Sequence, residues 1–97
     1  VKSLILLLLL STQTIAADLY LKNESGKNVR VKVRNTYEEL GINKTLKHTL
    51  DKVFKSKIDI IYQNRSVTST EIEPSGRDIK LRVYRKDNSW FLEPERR

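Results

Sequence analysis

The chain has 97 residues, of which 38% are hydrophobic and 32% charged, and it carries a net charge of +7. That length holds one small domain and excludes a large two-domain enzyme. With no cysteine and a single histidine, disulfide staples, thiolate metal sites and cysteine nucleophiles are excluded as well.

The N-terminal residues read as an export signal. Lys2 supplies a positive start, Leu4 to Leu10 an apolar core, and Ser11 to Ala17 a polar stretch ending in small residues. The apolar run is far shorter than the roughly 20 residues that cross a hydrocarbon layer, so a permanent anchor is not expected. Cleavage after Ala17 is expected, with Ala16 as the alternative, dividing the chain into a signal peptide, 1–17, and a single domain, 18–97. No cysteine is present to carry a lipoprotein acyl chain, so the cleaved product is expected not to stay inserted in a membrane. Val1 fits an alternative bacterial start codon read literally, or a chain whose first methionine is missing, and a bacterial origin is expected. An exported domain of about 80 residues without disulfides suits a periplasm, or another secreted location where staples are optional.

Past Asp18 the pattern is alternation, which sends successive side chains to opposite faces of a strand. A three-residue loop Glu24-Ser25-Gly26 is expected to join the first two strands, pairing Leu21 with Val29 and Leu19 with Val31. Val29, Val31 and Val33 then face inward, and Arg30, Lys32 and Arg34 outward. Glu38 and Glu39 are expected in a loop. Residues 44–50 read as a strand, followed by one helical turn near Asp51 to Lys55. Ile58 to Tyr62 and Ser66 to Ile72 form a hairpin around Asn64-Arg65, and Glu73-Pro74-Ser75-Gly76 is a turn. Ile79, Leu81 and Val83 alternate with Lys80, Arg82 and Tyr84. A two-residue Asp87-Asn88 turn pairs Val83 with Leu92, Tyr84 with Phe91, Arg82 with Glu93 and Arg85 with Trp90. The tail from Pro94 is expected to fray.

About seven short strands at this spacing predict an all-β fold, a small antiparallel β-sandwich of immunoglobulin-like or transthyretin-like type. Its expected core is Leu19, Leu21, Val29, Val31, Val33, Ile79, Leu81, Val83, Trp90 and Leu92.

No catalytic constellation stands out, and the chain is expected not to be an enzyme. His48 has no metal-like ligand spacing around it and reads as an exposed strand or turn residue, and the serines lack a nucleophile elbow. Glu71 and Glu73 share a strand face but need a cleft that such a domain seldom has. Neither cofactor nor metal is expected. Asn23, Asn43 and Asn64 each open a glycosylation sequon in an expected turn, where asparagine is favoured for backbone reasons.

What remains is the outward set: Tyr20, Arg30, Lys32 and Arg34 early in the chain, and Lys80, Arg82, Tyr84 and Phe91 late. Cations beside rings suit a polyanion, whose phosphates pair with the charges while rings or bases stack, and Tyr84 and Phe91 side by side argue against a merely solvated face. Two uses are expected. One is binding of an envelope or secretion-assembly protein through this face or a free strand edge. The other is binding of a polyanion such as lipopolysaccharide phosphate, nucleic acid or an acidic glycan. Whether the two basic stripes merge depends on whether they share a sheet.

Overall fold

A computed structural model describes residues 17–95. The described residues form eight strands: β1 (Asp18–Asn23), β2 (Val29–Val33), β3 (Thr36–Leu40), β4 (Thr45–Thr49), β5 (Ser56–Tyr62), β6 (Arg65–Ile72), β7 (Ile79–Lys86) and β8 (Ser89–Pro94). Among them no helix is long and apolar enough to cross a membrane. Sheet A has the order β4-β1-β7-β8 and sheet B the order β3-β2-β5-β6. The inner faces of the two sheets pack together as a small β-sandwich.

Alternation is what makes these segments strands. Leu19 and Leu21 of β1, Val29, Val31 and Val33 of β2, Ile58 and Ile60 of β5, and Leu81 and Val83 of β7 all turn inward and are buried. Ile79, Trp90 and Leu92 lie partly buried against them, as do Leu46, Tyr62 and Val67. Leu40, Ile58, Ile60 and Ile72 complete the core from elements that the sequence pattern marked less clearly.

The last hairpin has the expected register: Val83 opposes Leu92, Tyr84 opposes Phe91, Arg82 opposes Glu93 and Arg85 opposes Trp90. Its turn residues Asp87 and Asn88 have φ of 54° and 66°, the left-handed pair that matches strand twist in a two-residue hairpin. The β5–β6 turn uses the same geometry, but its centre is Gln63-Asn64, with φ of 52° and 63°, rather than Asn64-Arg65. A register shift opposite Ile60 and Ile61 leaves Val67 as an extra residue, a bulge on β6.

Further expectations are corrected. The first two strands do not pair: β1 lies in sheet A between β4 and β7, and β2 lies in sheet B between β3 and β5. Leu19 and Leu21 stand beside Ile79 and Leu81 of β7, and this pair runs parallel rather than antiparallel. Glu38 and Glu39 belong to strand β3, hydrogen-bonded along β2, so the strands number eight. Residues 51–55 form bends in place of a helical turn. There the Asp51 carboxylate accepts the Val53 and Phe54 N–H groups at 2.7 and 2.8 Å, so a side chain takes the place of helical carbonyls. At the other end of the chain Pro94 still closes β8, and the Glu95 N–H donates to the Lys80 carbonyl at 2.9 Å.

The expected signal peptide lies outside the described residues except for Ala17. Ala17 is buried, and its carbonyl accepts the Leu50 N–H at 2.9 Å. Among the described residues Asn23 is the one polar residue with no exposure, and this sequon is therefore closed to a glycan in the folded state.

Candidate functional site

The two basic stripes do not merge. Arg30 and Lys32 point outward from β2 in sheet B, while Lys80, Arg82, Tyr84 and Phe91 lie on β7 and β8 of sheet A, on the far side of the sandwich. Arg34 sits in the β2–β3 turn with φ of 58° and reaches Asp51, Nη1 to Oδ2 at 2.6 Å.

On sheet B the cations are matched. Arg30 donates through Nε to Glu39 at 2.9 Å, and Lys32 stands opposite both Asp59 and Tyr37, its ammonium 5.5 Å from the Tyr37 ring centre. Lys57 likewise opposes Glu71. Opposite charges directly across a strand pair largely cancel at distance, so this face has little net field to steer a charged partner.

Sheet A is different because β1 joins what the sequence separates. Tyr20 lies beside Lys47 of β4 on one side and Lys80 of β7 on the other, and Lys22 lies beside Arg82. The Arg82 guanidinium bridges Glu24 at 3.0 Å and Glu93 at 3.2 Å, and its centre stands 4.2 Å from the Tyr84 ring centroid. Tyr84 in turn stacks on Phe91, with centroids 5.1 Å apart and planes 20° apart. Cation, ring and ring thus form one braced stack, and Phe91 at its end is 38% exposed. Lys22 and Lys47 escape sequence reading because β1 meets β4 and β7 only through long-range pairing.

Arg82 and Glu24 perturb each other. The hydrogen bond from Arg82, partly opposed by burial and aided by the charge of Lys22, holds the Glu24 carboxyl below its ordinary value, and Glu24 holds the Arg82 proton more firmly than usual. A carboxyl whose folded pKa is depressed contributes stability above its unfolded pKa and loses it as pH falls through the folded one. The stability difference between the parent and Glu24→Gln is therefore expected at neutral pH and should vanish on acidification below the ordinary carboxylate range. Urea titrations at several pH values check this, and a difference that stays constant down to strong acid would contradict it.

A second feature lies at the end of the sandwich formed by the β5–β6 and β7–β8 turns. An open groove of about 610 Å³ runs between them, lined by Tyr62, Arg65, Val67, Arg85 and Trp90 among others. The Tyr62 and Trp90 rings meet at 5.1 Å with a 44° tilt, and the Arg85 guanidinium stands 5.1 Å from the Trp90 ring centre. No carboxylate lines the groove, and the buried Arg85 Nε–H has no acceptor among the described residues. Val67, the extra residue of the β6 bulge, is part of this lining, and sequence alternation alone gives no sign of the bulge.

His48 is half-buried on β4 opposite Leu19. Glu73 pairs with Lys55 at 3.4 Å. Among the described residues no three histidine or carboxylate side chains gather as a metal site would require. No protein-family profile and no curated protein matches the chain.

Proposed function

We propose that the chain is a non-catalytic, exported binding protein that engages an envelope protein through the outer face of sheet A. The observation that carries this reading is the braced Arg82–Tyr84–Phe91 stack on an open sheet face. A rigid aromatic pair supplies contact area at little cost in side-chain entropy, which is why such rings anchor protein interfaces. Around it, Glu24, Glu93 and Asp18 already neutralise Arg82, Lys22 and Lys47, whose Nζ is 3.8 Å from Asp18. A phosphate polymer would have to displace those carboxylates, whereas a protein surface can meet the mixed pattern as it stands. The face is preferred to the strand edges because the edge strands β3, β4 and β8 are only five or six residues long and the fourth, β6, is bulged.

Of the two expected architectures, the transthyretin-like one is supported. The constant-type immunoglobulin sandwich has seven strands and keeps its first two in one sheet, whereas here β1 and β2 stand in different sheets of four strands each. Fold alone carries no function, so the proposal rests on the face.

Export is part of the proposal. A cut after Ala16 would keep the buried Ala17 methyl and the carbonyl that accepts Leu50, which supports that position over the cut after Ala17.

The groove favours a second reading, an acidic glycan, with the Tyr62 and Trp90 rings against a sugar face and Arg65 and Arg85 toward its carboxylates. One experiment separates the two. The exported protein, its N-terminal mass measured, is used to capture partners from its own envelope extract at low and moderate salt, alongside Phe91→Ser and Arg85→Ser. Capture of a protein at both salts, lost in Phe91→Ser at unchanged melting temperature, is the expected result. Capture that collapses with salt and depends on Arg85 instead would transfer the function to the groove.

A further inference from the structure

Among the described residues, the β4–β5 connection carries the two most exposed large apolar side chains, Val53 at 71% and Phe54 at 63%. They are neighbours at the tip of a loop, and the loop holds them outward. Both Asp51 carboxylate oxygens are engaged from below, Oδ1 by the Val53 and Phe54 N–H groups and Oδ2 by Arg34 at 2.6 Å. Those backbone hydrogen bonds, and then the Arg34 guanidinium, hold the Asp51 carboxyl below its ordinary value, so the ionised form that makes these contacts persists to lower pH than in a free aspartate. Lys52 and Lys55 flank the tip, and Lys57 follows two residues on, all exposed. The Arg34 guanidinium also stands 5.9 Å from the Phe54 ring centre. Exposed apolar residues are ordinary when scattered singly, but two adjacent ones flanked by exposed lysines form a specific amphipathic pattern.

We propose that this tip docks on an anionic phospholipid surface, Val53 and Phe54 entering the headgroup boundary while Lys52, together with Lys55 as it exchanges its exposed Glu73 partner, pairs with headgroup phosphates and Arg34 stays on Asp51 to hold the loop. An aromatic and an aliphatic side chain beside lysines is the composition that suits a bilayer interface, and anionic headgroups complement the cations. This inference concerns a different surface from the sheet A face and stands or falls separately from it.

Because the chain has no cysteine, one can be introduced as a unique label site. The full chain with Val53→Cys, carrying an environment-sensitive fluorophore, is mixed with vesicles of phosphatidylcholine alone or with phosphatidylglycerol. Ser89→Cys, beside the β7–β8 turn at the opposite end, is the control. The expected result is a blue shift of the label at position 53 on phosphatidylglycerol vesicles. It should be absent at position 89 and lost when Lys52→Glu and Lys55→Glu, or Phe54→Ser, are added, with the melting temperature unchanged. An apolar leader partitions without regard to headgroup charge, so dependence on phosphatidylglycerol and on the two lysines isolates the tip. No shift at position 53, equal shifts at both positions, or the same shift on phosphatidylcholine alone would overturn the proposal.

Discussion

Replacing Asn23 by alanine is expected to destabilise the fold by about 3 kcal/mol or more, since a buried polar group that loses its partner costs about 1 to 3 kcal/mol and several lose theirs here. The Asn23 amide donates to the carbonyls of Lys27, Leu40 and Gly41 at 2.7, 3.1 and 3.1 Å, and its oxygen accepts the Ser25 N–H at 3.0 Å and the Ser25 hydroxyl at 2.6 Å. Its backbone adds bonds to Lys44 and Asn43. One side chain thus joins the β1–β2 and β3–β4 connections, two of the four places where the chain crosses between sheets. Asn23→Asp should be at least as damaging, because it removes donors and sets a charge among carbonyl oxygens. Urea denaturation measures both. A loss below about 0.5 kcal/mol for Asn23→Ala, the range of an ordinary surface change, would show that the network has no such role.

Leu21→Ala is expected to cost about 2 to 5 kcal/mol. Leu21 has no exposure, and it stands in register with Leu46 of β4 and Leu81 of β7, so the truncation leaves a hole in the middle of sheet A that neither neighbour can fill without breaking its pairing. Domains hold only about 5 to 15 kcal/mol in total, and a small one sits toward the lower end, so much of the fold's margin is at stake. Val53→Ser provides the contrast. Its side chain is exposed at the loop tip, and the change should stay within about 0.5 kcal/mol. Equal losses at the two positions in thermal and urea unfolding would contradict the burial assigned to each.

The sequence by itself determined the strands with one clean apolar face and the turn that forces its own geometry. β7 and β8 were legible with full register because Asp87-Asn88 adopts a left-handed turn that leaves a single pairing. β2 was legible from its three valines, and the rings of Tyr84 and Phe91 were correctly placed together. β3 was hidden because it is an edge strand with only Leu40 buried, so its alternation carries almost no hydrophobic signal. Which strands share a sheet was decided only by the tertiary structure. Parity requires that Leu19, Leu21, Val29 and Val31 turn toward one another, but two strands satisfy that equally well as neighbours in one sheet or as partners facing across a sandwich. The fold chose the second arrangement: β1 pairs with β4 and β7, far away in sequence. That choice divided the basic stripes between opposite faces and brought Lys22 and Lys47 beside Tyr20, Lys80 and Arg82. Local alternation fixes which way a side chain points along its own strand, whereas its neighbours on a face are set by long-range hydrogen bonding that alternation does not encode.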